Sequence, residues 1–161
     1  MLTPCYPYRS YRLRFRQRSA TGDIEHFRAQ ASNNRLLSAI ARVQSGSMDP
    51  AEYLTAGEYA DVLDVAEGHV KALVVPAAAG ERFALRAGQV TWQDVADIIG
   101  SKSDGATMKG QPGSGKDVVM ERPFSGEKAI KILGMKYRSL EDTVDDVLSQ
   151  AIELGVEQQR E

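Results

Sequence analysis

The chain has 161 residues, which is room for one domain with a tail. A hydrophobic fraction of 42%, a charged fraction of 26% and a mean hydropathy of -0.35 fit a soluble globular protein with a sizeable core. No run nears the ~18 apolar residues of a bilayer span, the single Cys5 excludes an internal disulfide or a thiolate-built zinc site, and a net charge of -2 excludes general nucleic-acid affinity for the whole chain.

The charge is unevenly spread. Residues 1–30 carry six arginines against Asp23 and Glu25, whereas seven acids face two bases from Arg138 to the end. From Tyr11 to Arg18 every second residue is Arg, with Leu13 and Phe15 between them. An extended chain would place those charges on one face, where they repel, so a buried strand is not expected. Four readings stay open for residues 1–31. They are a poorly ordered basic segment, a mitochondrial targeting segment, a nucleic-acid arm with interleaved Tyr6, Tyr8, Tyr11 and Phe15, or a stretch foreign to the domain behind it. A lone thiol fits a reducing compartment, so the expected location is cytoplasmic, or mitochondrial under the second reading.

Regular elements begin at Ser32 or Asn33, which can cap a helix with Leu36, Leu37, Ile40 and Val43 on one face and Gly46 at its end. A loop through Asp49-Pro50 leads to a short strand over 59–62. Asp64 then caps a helix expected to turn Ala66, Val70, Leu73 and Val74 inward until Pro76 stops it. Residues 82–86 alternate charged and apolar and predict a second strand. Thr91 and Asp94 resemble a capping box, with Trp92, Val95, Ile98 and Ile99 on one side of the helix they open. Trp92 reads as a core anchor.

Residues 101–123 hold four glycines and two prolines with little periodicity, a long loop. Ser125 is expected to cap a short helix with Ala129, Ile130 and Leu133, closed by Gly134. Ser139 with Asp142 caps the last helix, whose buried stripe is Leu140, Val144, Val147, Leu148 and Ala151. Residues 32–155 form the domain and 156–161 a frayed tail. Two short strands are too few for a free sheet, so partners must come from residues 1–30 or elsewhere.

The stretch Gly110-Gln-Pro-Gly-Ser-Gly115-Lys116-Asp117 matches the spacing of a phosphate-binding loop. Its chemistry does not. The residue after Lys must supply a hydroxyl to magnesium, and here it is Asp117. Residues 103–109 before it are polar rather than a buried strand. His26 and His69 are the only histidines, and neither has a helical i, i+4 partner for zinc. Asp61 and Asp64 lie close in sequence, but a strand-end residue and a helix cap explain them without catalysis.

Several linked segments resemble one family. Residues 59–73, YADVLDVAEGHVKAL, are similar to the "VDVRDVAEAHVLAL" stretch of extended short-chain dehydrogenases. Gly80-Glu-Arg-Phe-Ala-Leu85 looks like their "GERYLL" strand, and the helix from Thr91 to Ile99 resembles the one that follows. Lys109 to Gly115 is similar to the "KGNPGSG" loop of fungal members related to dihydroflavonol reductases and NAD-dependent epimerases. Ser125 to Leu140 resembles their closing segment. The likeness spans roughly residues 32–150 and depends on the order of the motifs.

The resemblance implies an α/β protein: the C-terminal substrate lobe of a Rossmann-type extended short-chain dehydrogenase, truncated and mostly helical with two or more short strands. It implies NAD(P) for the family. The family's GxxGxxG turn after a strand is not found here. Nor is its Tyr-x-x-x-Lys pair, since the residues four after the six tyrosines are Ser10, Arg12, Phe15, Gly57, Leu63 and Glu141. No catalytic or cofactor-binding residue can therefore be carried over, and this chain alone is expected to bind no cofactor and transfer no hydride. The substrate region carries over to Tyr59, Asp61, Lys109 and Lys116. Two other readings stand beside this one. The first is an interaction module that docks on a Rossmann-containing partner or on itself. The second is a non-redox enzyme of cyclase or isomerase type reusing the substrate pocket. A lobe without its main sheet exposes apolar surface, so a homo-oligomer or obligate complex is expected, with a small-molecule substrate and neither nucleic acid nor membrane.

Overall fold

The computed structural model describes residues 12–15, 31–102, 110–121 and 123–153. Strand β1 (Arg12–Phe15) precedes helix α1 (Ala31–Ser45) and a single turn of helix, α2 (Pro50–Tyr53). Strand β2 (Ala56–Asp61) runs directly into α3 (Val62–Val74). Strand β3 (Gly88–Thr91) runs directly into α4 (Trp92–Lys102). Helices α5 (Glu127–Leu133) and α6 (Leu140–Glu153) complete the order.

The sheet order is β1-β2-β3, with β1 parallel and β3 antiparallel to the central strand. Leu13 pairs with Tyr59, and Glu58 with Gln89. The missing partner strand thus comes from the basic segment, one of the two sources the sequence allows, and Arg12 and Arg14 of the alternating arginines lie in a paired strand. The second strand is not the expected 82–86 but Gly88–Thr91. Residues 82–86 belong to no strand, because among the described residues none pairs with them. Alternation prepares a strand, and a ladder partner makes it one.

The main core joins Leu36 and Ile40 of α1, Val90 of β3, Val95 and Ile99 of α4, and Val144 and Val147 of α6. A second cluster seats Tyr53 and Met48 against Val43 and Ala96, and Trp92 packs on both clusters as the anchor expected of it. A third links Ala78, Ala129, Leu133 and Met135 under Phe83 and Leu85. Thr91 and Asp94 form the predicted reciprocal cap: Asp94 N–H donates to Thr91 Oγ1 at 3.1 Å and Thr91 N–H to Asp94 Oδ2 at 2.7 Å. Asp142 N–H donates to Ser139 Oγ at 3.1 Å, as predicted for the last helix. Asp49 caps α2, an element too short to show a period in the sequence.

Helix α3 departs most from expectation. Its N-cap is Asp61, not Asp64. The apolar face predicted to point inward points out: Val70 is 60% exposed, Leu73 87% and Val74 70%. Its buried residues are Asp64 and Gly68. Gly68 lets the helix lie directly on residues 82–86, since a Cβ there would stand 2.6 Å from a Leu85 methyl. His69 is exposed and bonds the Val65 carbonyl of its own helix. On α5, Ile130 is likewise half exposed, while Ala129 and Leu133 are buried as predicted.

Candidate functional site

Tyr59 stands on central strand β2, partly buried beside the main core. Its carbonyl accepts from Ala87 N–H at 2.8 Å, and its ring lies over Gly88, where a Cβ would meet Cε1 at 3.3 Å. Burial pushes its phenol above the ordinary value of 10.0, and the carboxylates of Asp64, Asp142 and Asp61 push the same way. At neutral pH Tyr59 is therefore a neutral hydroxyl, a hydrogen-bond donor and not a phenolate.

Asp61 ends the same strand and is fully buried. One oxygen caps α3 by accepting from Leu63 N–H at 2.7 Å, and the other accepts from Thr143 Oγ1 of α6 at 3.1 Å. Both oxygens are engaged within the fold, so the carboxylate positions α3 and α6 against the strand. Asp64, one turn on, is also fully buried and pairs with the guanidinium of Arg138. Next to it, Glu58 ion-pairs with Arg86 at 2.9 Å and accepts from Phe124 N–H at 2.6 Å. Tyr137 hydroxyl accepts from Arg86 N–H at 3.3 Å, and burial raises its pKa too. The sequence reading missed Glu58, Arg86, Tyr137 and Arg138. Their long separations leave no local signal, except the alternation that places Glu58 two residues from Ala60 on one face of β2.

Lys109 lies outside the described residues. Lys116 is exposed on a single 3-10 turn, Ser114–Asp117. That turn rests on α4, not on β2. Gly115 is buried there, with room for no side chain: a Cβ would stand 2.6 Å from Asp94 Oδ1. Gly113 N–H donates to Asp97 Oδ2 at 2.8 Å, and Gln93 Nε2 donates to Asp97 Oδ1 at 2.7 Å. The glycine spacing that mimics a phosphate loop is thus explained by packing onto an acidic helix start. Carboxylates occupy the place where a phosphate would need cations or free N–H groups. No polar contact among the described residues joins Tyr59 to Lys116. A recess lined by Arg35, Gly57, Val90 and Trp92 encloses about 20 Å³, room for one water and not for a substrate. No cluster of three metal-ligating side chains occurs among the described residues, and none of their helices is long and apolar enough to cross a membrane.

No family model matches the chain. Individual proteins do. The NADPH-dependent methylglyoxal reductase GRE2 of Saccharomyces cerevisiae is 35% identical over 102 residues, covering 60% of this chain and 29% of the yeast protein. Its crystal structure with NADPH superposes with a TM-score of 0.70 at 27% identity, over 89% of this chain and 44% of the yeast chain. The homologues are Gre2-type reductases of the extended short-chain dehydrogenase family. Gre2 from Candida albicans superposes with a TM-score of 0.71 at 26% identity, over 88% of this chain and 42% of its own. The ketoreductase azaE of Aspergillus niger is 31% identical over 97 residues, 29% of its length. The chain therefore spans under a third of these curated relatives by sequence and under half of the Gre2 chains by structure. The fold is that of part of a Rossmann-type reductase, mostly helical with a small sheet.

Proposed function

We propose that this chain is the substrate-side lobe of a Gre2-type carbonyl reductase, without the half that holds the dinucleotide. The observation that carries this reading is the superposition, in which nearly all of this chain matches less than half of a Gre2 chain. The absence from the sequence of a GxxGxxG turn after a strand, and of a Tyr-x-x-x-Lys pair, supports it. So does the chemistry of the described residues, which do not fit a dinucleotide. Among the described residues, the glycine-rich loop near a helix start meets Asp94 and Asp97, and its Gly113 N–H is already engaged.

In this reading Tyr59 and Lys116 belong to the substrate side. Tyr59 offers a neutral hydroxyl. Lys116 offers an exposed cation. Asp61 acts as a positioning residue, because its oxygens hold α3 and α6. Any substrate is a small carbonyl compound of the kind named for the relatives, and the chain alone does not reduce it.

NADPH fluorescence titration of the isolated chain tests this. The expected result is no saturable binding and no consumption of NADPH with methylglyoxal. Saturable one-to-one binding would overturn the reading, because it would place a dinucleotide site on this chain.

A further inference from the structure

Residues 110–121 form a strap over α4 and β3 that the apolar core does not hold. Val118, Val119 and Met120 join none of the three core clusters, and Val119 is 83% exposed. The strap is instead stitched within itself by successive tight turns. Ser114 N–H donates to the Gln111 carbonyl at 3.0 Å, Lys116 N–H to that of Gly113 at 3.3 Å, and Val118 N–H to that of Gly115 at 3.2 Å. These bonds need no partner outside the segment.

The strap is fastened at two places. At the first, Gly113 N–H donates to Asp97 Oδ2 at 2.8 Å, and Gly115 lies against Thr91 and Asp94. At the second, a single side chain makes both contacts. Gln89 Nε2 donates to the Val118 carbonyl, and Gln89 Oε1 accepts from Met120 N–H at 3.1 Å. A strand residue in a parallel ladder donates to one carbonyl and accepts from the N–H two residues further on. The Gln89 amide does the same, in the place of a strand residue facing Val119. An amide carries both roles, whereas an alkyl group of similar size carries neither.

The sheet holds the latch residue firmly. Gln89 pairs with Glu58 across β2 and β3. Glu58 also accepts from Phe124 N–H at 2.6 Å, which keeps the chain beyond the strap on the sheet. A segment held by hydrogen bonds, each of small net worth, opens at lower free energy than one tied into the apolar core.

We infer that residues 110–121 open from α4 and β3 as one unit while the core stays folded, and that the Gln89 amide is the latch. Lys116 rides on this unit. Resting on the reading of Lys116 as a substrate-side cation, closing presents that cation and opening withdraws it. The opening itself does not depend on that reading.

Native-state amide hydrogen exchange of the whole 161-residue chain tests the inference. Gly113 and Met120 should exchange at least tenfold faster than Ile99 and Val147 of the core helices. Low urea should speed Ile99 and Val147 but not Gly113 and Met120. Gln89→Leu should speed Met120 and, across the strap, Gly113 at least tenfold, with Ile99 and Val147 unchanged. Asp97→Ala should act from the other end and speed Met120 along with Gly113.

Exchange of Gly113 and Met120 at the rate of Ile99 would mean opening by global unfolding alone, and overturns the inference. So does a Gln89→Leu effect confined to Met120, or an Asp97→Ala effect confined to Gly113, because the two ends then move separately. Should Gln89→Leu speed Ile99 by the same factor, Gln89 is part of the core and not a latch. Should that variant fail to fold, the wild-type urea series and Asp97→Ala still decide. The substrate-side reading fails separately, through saturable NADPH binding by the isolated chain.

Discussion

Arg138 and Asp64, distant in sequence, pair asymmetrically: the Asp64 carboxylate is fully buried, while the Arg138 side chain keeps 37% of its surface in water. Arg138 N–H adds a second contact to Asp64 Oδ2 at 3.0 Å. The pair ties α3 to the segment that leads into α6.

The asymmetry predicts unequal costs for the two halves of the pair. Removing the guanidinium strands a buried charge, so Arg138→Met should cost about 3 kcal/mol. Removing the charge while keeping the shape leaves an arginine that water can reach, so Asp64→Asn should cost about 1 kcal/mol. Urea unfolding of both variants checks this. Equal costs would mean that Arg138 contributes packing and not charge pairing.

The loop on α4 makes a steric prediction. Gly115→Ala drives a methyl group into Asp94 and Thr91, the two residues of the helix cap. The expected cost is about 2 kcal/mol, with faster amide exchange at Asp94 and Gly113. Asp97→Ala should loosen the same loop without touching the cap, because it removes only the partner of Gly113 N–H and Gln93 Nε2. Unchanged exchange at Gly113 in Asp97→Ala would contradict this.

The exposed stripe of α3 predicts a null effect where an inward stripe would predict a large one. Leu73→Lys should change the stability of the isolated chain by less than about 0.5 kcal/mol. Ile99→Ala, at a 3% exposed core site, should cost about 3 kcal/mol. Leu73→Lys should also lower binding of a hydrophobic dye. A large loss of stability in Leu73→Lys would mean that α3 buries this face in the isolated chain.

These contrasts show what the sequence could and could not carry. Period 3.6 marked α1, α4 and α6 together with their buried faces, because the partners of those faces lie within the chain. The same period marked α3 correctly as a helix but took its apolar stripe for the buried face, and that stripe is exposed. It could not say that the buried side would be Asp64 and Gly68, which is decided by Leu85 and Arg138 far along the chain. Alternation over 82–86 described a strand that finds no ladder partner among the described residues, and Gly88–Thr91 became the strand although it opens on glycine. At the site, Tyr59 and Asp61 were legible from the resemblance as candidates only. The engagement of Asp61 by Thr143, and of Glu58 by Arg86, was not, because each contact depends on tertiary placement.

Tyr59 makes the last prediction, on pH. Its folded pKa lies above the ordinary 10.0, first through burial and then through Asp64, Asp142 and Asp61. Between the unfolded and folded values, the folded chain holds a proton that the unfolded chain has released. Stability therefore falls as pH rises through that window, and below the unfolded value this residue adds no pH dependence. Tyr137 and Tyr53 shift in the same direction, each chiefly through burial, so they add to the same alkaline loss. Tyr59→Phe removes one ionisation and should flatten the decline in melting temperature above about pH 10. Phenolate absorbance should show the wild-type chain ionising late when folded and at the ordinary value in urea. A Tyr59→Phe chain with the same alkaline decline as wild type would show that this hydroxyl is solvated and not held beside the carboxylates.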